Sequence, residues 1–291
     1  LTLVRDAETP TTIYLNPGVY SPSTNGEKFP IVLPDNVELI GDESENTILD
    51  AEADAGNEAA TMIIKEVENV RVANLTLTGG YSEGHGCTGG GGLLITANDM
   101  FNGDGLSSAW TGAVIEDVII EDNWSHNGGG LSIYRSTGSV LNNVIIRDNA
   151  CSAFGGGVFT YGSTVNMTNV TVTGNNNLAG TAMGGGMMMP ITGGTLDNMT
   201  ITDNEGCCGG GGDDLVIEDC IVTGNVVTVN HGGGIAIDGV DEVIIKRTAV
   251  VDNHANNGIG GILVEFSDVT LDNKAAWATY RQTLRDLPAN T

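Results

Sequence analysis

Short runs in which apolar and polar residues alternate recur through the middle of the chain. Val114–Ile120 and Val165–Val172 are examples, and their period of two, with many β-branched residues, predicts strands rather than helices. Each run leads to an Asp-Asn or Gly-Asn pair, and after a variable linker a Gly cluster precedes another apolar strand. The residues that end these pairs are Asn123, Asn149, Asn175, Asn204, Asn225 and Asn253.

A second polar position lies six residues before each of these asparagines. The spacing from one terminal Asn to the next is 21 to 29 residues, which is typical of a solenoid whose single coils cannot bury their apolar face alone. Because stacked coils place equivalent residues about 4.8 Å apart, both sets of polar residues are predicted to form hydrogen-bonded ladders in turns, where Asn tolerates left-handed backbone. The earlier positions are Asp117, Asn143, Asn169, Asn198 and Asp219, with Arg247 as the exception.

The first residues of the strands that follow the Gly clusters resemble those of known protein families. Leu131 follows Gly128–Gly130 and Val158 follows Gly155–Gly157, and the stretch from Ile13 to Asp50 resembles the opening coils of many bacterial β-helix proteins. The repeats resemble right-handed parallel β-helices of the pectin-lyase-like superfamily, and the Gly-led strands are similar to polymorphic outer-membrane proteins and bacterial surface adhesins. The resemblance implies an all-β, single-domain right-handed parallel β-helix over residues 11–273.

The two ends differ from the repeats. Residues 1–10 are interpreted as the remnant of an N-terminal cap. Residues 274–291 are interpreted as a helical cap or a docking segment, because Trp277, Tyr280 and Leu284 fall on one helical face. This segment also resembles a short stretch near the ends of phage tail-fibre and tail-assembly proteins, which implies a virion-associated role.

Composition narrows the classes of function. The chain has 11 Lys and Arg against 37 Asp and Glu, a formal net charge of −26, and 43 glycines. Such acidity argues against nucleic acid as a partner, and no apolar run is long enough to predict a transmembrane helix. The 40% hydrophobic content predicts a folded chain rather than a disordered one.

The catalytic residues that the resemblance would imply are not recognisable. Lyases of the superfamily use Lys or Arg with calcium, and its hydrolases use clustered carboxylates, yet the basic residues of these repeats lie in separate coils. We therefore favour a noncatalytic extracellular or cell-surface module, adhesin-like or virion-fibre-like, that binds a polysaccharide, a surface glycan or a receptor. The alternative is a polysaccharide lyase or glycoside hydrolase, and assembly into a homo-oligomer or a larger complex would use the C-terminal segment.

The variable linkers hold the candidate binding residues, because their loops should project from one long edge of the solenoid. Aromatic rings, amides and imidazoles are the groups that contact sugar faces and hydroxyls. The candidates are Trp124, His126, Phe154, Met183, His231 and His254.

A calcium site is a further hypothesis. Asp99, Asn102 and Asp104 make an oxygen-rich loop, although it lacks the bidentate Glu of a full calcium loop. No other cofactor is predicted. The five cysteines leave the disulfide state open, and Cys207-Cys208 are either a vicinal disulfide or two thiols.

We predict that deleting residues 274–291 causes aggregation or end-to-end association. Burial of the helical stripe should contribute on the order of 3 to 6 kcal/mol before ordering costs, and its loss would expose the last coil. Size-exclusion chromatography of the truncated chain checks this. A monomeric truncated chain, together with rapid proteolysis of the intact chain near Arg281, would instead favour the docking role.

Overall fold

The computed structural model describes residues 9–83, 89–97, 111–178, 185–189, 192–205, 208–210, 215–227, 235–240, 243–255 and 262–266. Within these ranges the chain winds as a parallel β-solenoid, and each strand pairs in parallel with the equivalent strand of the next coil. The prediction of an all-β, single-domain right-handed parallel β-helix is confirmed.

The strands are short because every coil turns several times. In chain order they are β1 (Thr11–Tyr14), β2 (Gly18–Tyr20), β3 (Ile31–Leu33), β4 (Val37–Ile40), β5 (Thr47–Asp50), β6 (Met62–Lys65), β7 (Val70–Thr78), β8 (Tyr81–Ser82), β9 (Leu93–Thr96), β10 (Ala113–Glu121), β11 (Trp124–Asn127), β12 (Leu131–Tyr134), β13 (Thr137–Asn142), β14 (Ile145–Arg147), β15 (Ala150–Phe154), β16 (Val158–Tyr161), β17 (Thr164–Thr168), β18 (Thr171–Thr173), β19 (Asn176–Asn177), β20 (Met187–Met189), β21 (Gly193–Asp197), β22 (Thr200–Thr202), β23 (Cys208–Gly210), β24 (Leu215–Glu218), β25 (Ile221–Thr223), β26 (Val226–Val227), β27 (Ile235–Val240), β28 (Val243–Lys246), β29 (Ala249–Val251), β30 (His254–Ala255) and β31 (Ile262–Phe266).

Three sheets run along the solenoid. Sheet A has sixteen strands and forms two arms. Single strands, β7 and β10, span both arms, whereas in later coils two residues separate the strand of one arm from that of the other. Sheet B has nine strands, β3-β6-β9-β12-β16-β20-β23-β27-β31. Sheet C comprises β8, β11, β15 and β19 and the pair β26-β30, and single-residue bridges through Glu205 connect the two parts. Along the chain, a coil passes through the two arms of sheet A, then sheet C, then sheet B.

One short helix, α1 (Pro22–Asn25), is present in the described residues, and the sequence pattern did not predict it. Its N-cap is Ser21, whose hydroxyl donates to Glu52 Oε1 at 2.7 Å, and the backbone N–H of Ser23 donates to Glu52 Oε2 at 3.0 Å. Hydrogen bonds from the hydroxyls of Ser23 and Ser21 lower the pKa of Glu52.

The described part of the chain contains no helix with the length and apolar character needed to span a membrane.

The interior is filled by columns of apolar side chains at equivalent positions of successive coils. Alternation along each strand sends one set of side chains inward, as the apolar pattern predicts. The first arm of sheet A contributes Val72, Ile115, Leu141, Met167, Leu196 and Ile217, and the second arm contributes Leu77, Ile120, Ile146, Val172, Ile201 and Val222.

The bend between the two arms of sheet A contains one residue in the left-handed region. Asp117, Asn143, Asn169, Asn198, Asp219 and Arg247 have φ between 46° and 56°. Neighbouring members of this outer ladder are hydrogen-bonded in pairs. The amide of Asn143 donates to Asp117, that of Asn198 donates to Asn169 Oδ1 at 2.6 Å, and Arg247 donates from Nε and Nη2 to Asp219 at 2.6 Å each.

The terminal asparagines form a second, continuous ladder inside the coil. Each Nδ2 donates to Oδ1 of the next Asn, at 3.0 Å from Asn123, Asn149 and Asn175, 2.9 Å from Asn204 and 2.8 Å from Asn225. The backbone N–H of each donor residue binds the same Oδ1, at 3.0 to 3.2 Å. Asn253 receives the last of these bonds, and Asn123 Oδ1 accepts from the backbone N–H of Gly80 at 2.8 Å, so the ladder also reaches the preceding coil.

The left-handed residue in each Asp-Asn or Gly-Asn pair is the first one, so the prediction that the asparagine adopts the left-handed backbone is wrong for these pairs. Asp122, Asp148, Asp203 and Asp252 have φ of 53° to 54°, and Gly174 and Gly224 occupy the same position at 65° and 68°. Burial raises the pKa of Asp122, and the negative charges of Glu121 and Asp148 raise it further.

Glycines before the strands of sheet B let neighbouring coils approach closely. A Cβ on Gly129 would lie 2.2 Å from the carbonyl oxygen of Ala150, and one on Gly130 would lie 2.8 Å from Asn149 Nδ2 of the ladder. Gly128 and Gly155 also adopt φ of 61° and 63°. The Gly clusters are therefore needed for the contact between coils as well as for the turn.

The predictions for the chain ends lie largely outside the described residues. This holds for residues 1–8 of the N-terminal cap and for all of 274–291.

Cys151 and Cys220 are buried free thiols, and burial raises the pKa of Cys151 to about 12. Cys87 and Cys207 lie outside the described residues.

Asn149→Ala or Asn175→Ala should lower the free energy of unfolding by about 1 to 3 kcal/mol. Each change leaves buried backbone groups without hydrogen-bond partners, both in the coil that carries the substitution and in the adjacent coil. Denaturant unfolding checks this, with Asn142→Ala on the exposed face of β13 as the control. Equal stability of ladder and control variants would show that the ladder contributes nothing measurable.

Asp122→Asn should raise the melting temperature at pH 7 and have little effect near pH 3. A carboxyl whose folded pKa is raised contributes stability below its unfolded pKa, and that contribution is lost as the pH rises through the folded pKa. At pH 7 the charged Asp122 therefore disfavours the fold, and Asn relieves this while keeping the left-handed turn.

The matched control is Asp252→Asn, because the adjacent coil there has Gly224 in place of a second aspartate. Its melting temperature at pH 7 should rise less than that of Asp122→Asn. An unchanged or lower melting temperature for Asp122→Asn at pH 7 would contradict the electrostatic explanation.

Candidate functional site

One row of outward-facing side chains follows sheet C from coil to coil. The strand register sets the row, because Trp124 pairs with Tyr81 and Ala150, and Ala150 pairs with Asn176. Ser125 and Cys151, one position further along their strands, are buried and face inward. The full row is Tyr81, Trp124, Ala150, Asn176, Glu205, Val226 and His254.

Tyr81 and Trp124 are stacked in this row, with ring centroids 4.3 Å apart and an interplanar angle of 13°. The backbone N–H of Trp124 donates to the carbonyl of Gly80 at 2.8 Å, which fixes the ring in register with Tyr81. On the other side of Trp124 the row continues with Ala150, whose side chain is a single methyl group. The indole of Trp124 is half-buried, and its second face lies next to the smallest side chain of the row.

His126 follows Trp124 by two positions on β11, and Phe154 is paired with Asn127 at the end of the same two strands. Nδ1 of His126 is 2.8 Å from Oγ of Ser152, and the tautomer decides which of them donates. Phe154 ends β15 and stacks on Phe159 of sheet B, with centroids 6.2 Å apart. These residues of neighbouring strands are called here the sheet C edge, which comprises Tyr81, Trp124, His126, Ala150, Phe154 and Asn176.

The structure does not bring all the predicted binding residues together. His254 is exposed on the same row as Trp124 but five coils further along, which is about 24 Å at the spacing of β-strands. Met183 and His231 lie outside the described residues, as do Asp99, Asn102 and Asp104 of the predicted calcium loop. Within the described ranges, no cluster of three His, Cys, Asp or Glu could hold a metal ion.

Three acidic residues near Tyr81 were not predicted from the sequence. The Tyr81 hydroxyl is 3.3 Å from Glu83 Oε1, and the backbone N–H of Glu83 donates to Glu58 Oε2 at 3.1 Å. The pKa of Tyr81 is raised, first by burial and then by the negative charges of Glu83, Glu58 and Asp54. Tyr81 itself follows Gly79-Gly80 at the position where Trp124 follows Asp122-Asn123, and this equivalence could have identified it.

A second group of aromatic residues lies on the outer face of sheet B. Tyr134 and Tyr161 stack at 5.3 Å between centroids, and the guanidinium carbon of Arg135 lies 5.5 Å from the Tyr134 ring centroid. Tyr134 is only 5% exposed, and Phe159 on the same sheet is 3% exposed. Sheet B therefore offers less accessible aromatic surface than the sheet C edge.

Five basic residues of the described repeats are engaged in ion pairs or lie over an aromatic ring, namely Arg71, Arg135, Arg147, Lys246 and Arg247. Arg71 pairs with Glu116 at 2.8 Å and Arg147 with Glu121 at 2.6 Å. The carboxylate of Asp219 raises the pKa of Arg247, and Arg247 in turn lowers the pKa of Asp219. These pairs bridge neighbouring coils, which agrees with a structural role for the cations.

Comparisons with known proteins found similar solved structures. The computed structure is similar to the A-module of the mannuronan C-5 epimerase AlgE4 from Azotobacter vinelandii, at 16% identity and a TM-score of 0.47, over 82% of this chain and 68% of that one. It is also similar to a pectin methylesterase in complex with a hexasaccharide, at 12% identity and a TM-score of 0.41, over 100% and 92% of the two chains. A pectin methylesterase from Yersinia enterocolitica matches at 11% identity and a TM-score of 0.33, over 97% and 95%.

Among curated proteins, no relative matches the chain. Likenesses of this level concern the course of the backbone and assign no activity. One family model matches residues 2–204, which is more than half of the 291 residues. The chain therefore belongs to the DUF1565 family, described as proteins of unknown function.

Proposed function

We propose that this protein is a noncatalytic extracellular β-helix module that binds glycans along the sheet C edge. The observation that carries the proposal is the stacked pair Tyr81 and Trp124. The next outward residue of the row after this pair is Ala150, which has a small side chain. One face of the indole is covered by Tyr81, while the other borders a methyl group. A flat apolar ring whose neighbour on the next coil is a small side chain is the kind of feature that a pyranose face contacts.

Polar groups around this ring supply the hydrogen bonds that sugar hydroxyls require. Asn176 is the next outward residue after Ala150, and its side chain is half-buried. His126 and Ser152 form a hydrogen-bonded pair that can both donate and accept. An apolar platform beside a few convergent polar groups is typical of small-ligand sites.

The straight row of sheet C suits an extended ligand. Equivalent positions repeat at about 4.8 Å along the solenoid, so a polysaccharide chain lying along the row would contact several coils. A polymer at a cell or virion surface is the kind of partner such a row fits. The extracellular location and an adhesin-like or fibre-like role are parts of this proposal, as is assembly through residues 274–291.

The alternative is a lyase or hydrolase that cleaves the bound polymer. One observation favours it, because Asp122 is the carboxyl group with a raised pKa among the described residues and precedes Trp124 by two positions. A general acid requires such a raised pKa. Burial of this turn residue, together with the charges of Glu121 and Asp148, accounts for the raised pKa without any catalytic role.

Trp124→Ala should weaken binding of a recognised oligosaccharide at least about tenfold, because the aromatic anchor of the site is lost. Ala150→Tyr should weaken it similarly, since a third ring would cover the free face of the indole while extending the existing stack. Glycan-array screening followed by calorimetry on the intact chain measures both effects. Tyr14→Ala, at an aromatic residue that is 74% exposed on sheet A, is the control.

Unchanged affinity in both edge variants, or an equal loss in Tyr14→Ala, would contradict the proposed site. Release of shorter oligosaccharides from a bound polymer, abolished by Asp122→Asn, would establish the enzymatic alternative instead.

A further inference from the structure

Acidic residues surround the sheet C edge, although the stacking of Tyr81 on Trp124 does not require them. Glu58 and Glu83 are exposed, and both contribute negative potential at the Tyr81 hydroxyl together with Asp54. The contact of Tyr81 with Glu83 at 3.3 Å, and that of the Glu83 backbone with Glu58 at 3.1 Å, place two carboxylates beside the stacked rings. Glu205 is exposed on the same row, two coils beyond Ala150.

The described residues of this surface include no Lys or Arg that could compensate these charges. The described strands of sheet C, β8, β11, β15, β19, β26 and β30, contain neither Lys nor Arg. Arg147 lies just before β15 in sequence, but its guanidinium is held by Glu121 at 2.6 Å. With a net charge of −26 on the chain, the local potential and the overall charge have the same sign.

We infer that the sheet C edge selects glycans whose sugars carry free amino groups and rejects polyuronates. The inference rests on the proposed function, because it names the class of sugar for the same surface. An ammonium group beside Tyr81 and Trp124 would be attracted electrostatically by the carboxylates of Glu58 and Glu83 and by the aromatic faces. A uronate carboxylate at the same place would be repelled, and the described strands of this edge hold no Lys or Arg that could pair with it.

Three hexasaccharides of equal length separate the contributions of charge and stacking. The probes are hexamers of glucosamine, of N-acetylglucosamine and of galacturonic acid, titrated into the intact chain with a chelator at low and moderate salt. The first two probes differ only in the acetyl groups that remove the positive charge. We expect the glucosamine hexamer to bind at least about threefold more tightly than its acetylated counterpart, and we expect salt to reduce this difference.

The double variant Glu58→Gln with Glu83→Gln tests the named carboxylates. It should bring the affinity for the glucosamine hexamer to that for the acetylated hexamer, with the acetylated hexamer bound as before. Glu45→Gln with Glu68→Gln removes the same charge at exposed positions away from sheet C and is the matched control. A preference lost equally in both double variants would reflect only the overall charge and would overturn the inference.

Trp124→Ala separates this inference from the function on which it rests. If Trp124→Ala abolishes binding but the galacturonate hexamer binds as tightly as the glucosamine hexamer, the glycan site stands and the amino-sugar selectivity is wrong. If none of the hexamers binds, or if Trp124→Ala leaves binding unchanged, both proposals fail. Loss of all binding in Trp124→Ala, together with glucosamine preference in the native chain, supports both.

Discussion

The fold depends on the hydrogen bonds that asparagine side chains make between one coil and the next. Each ladder Asn uses a buried carbonyl oxygen to accept both the side-chain and the backbone N–H of its neighbour, as Asn175 does for Asn149 at 3.0 Å each. The turn from sheet A into sheet C would otherwise bury unpaired backbone groups. Because the ladder passes through every coil from Asn123 to Asn253, it keeps coils of 21 to 29 residues in register despite their different linkers.

The requirement for close stacking explains the composition of the rest of the coil. Side chains cannot fit where backbone approaches backbone, and a Cβ on Gly156 would lie 2.5 Å from the carbonyl of Asn176. Left-handed corners accept Asp, Asn or Gly, and the alternation of Asp148, Gly174 and Asp203 satisfies the corner without a continuous column of charge. Asp122 and Asp148 are adjacent members, and the pKa of Asp122 is raised first by burial and then by the charges of Glu121 and Asp148. The high glycine content is thus a consequence of geometry rather than of flexibility.

Much of the fold could be predicted from the sequence because each sequence repeat corresponds to one coil of the solenoid. The strand starts at Leu131, Val158 and Met187 follow from the Gly clusters, since period and alternation are local properties. The role of Asp122 as the left-handed residue before Asn123 was not predicted, because Asp and Asn both tolerate that conformation and only the hydrogen bonds distinguish them. The acidic residues beside Tyr81 could not be predicted either. Glu58 reaches the site through an antiparallel bridge between Ala59 and Tyr81, which no repeat position specifies.

In a solenoid, a side chain on the outer face is normally covered by its equivalents in the coils on either side. Tyr134 and Tyr161 illustrate this, because the two rings stack and Tyr134 is almost fully buried. Between two stacked coils, a ring becomes available to a ligand where the row changes abruptly from a large to a small side chain. The step from Trp124 to Ala150 is such a break, and the ladder residues Asn123 and Asn149 immediately before them hold both positions in fixed register. Recognition on this fold is therefore expected where the outer row departs from its repeat while the inner ladder continues unbroken.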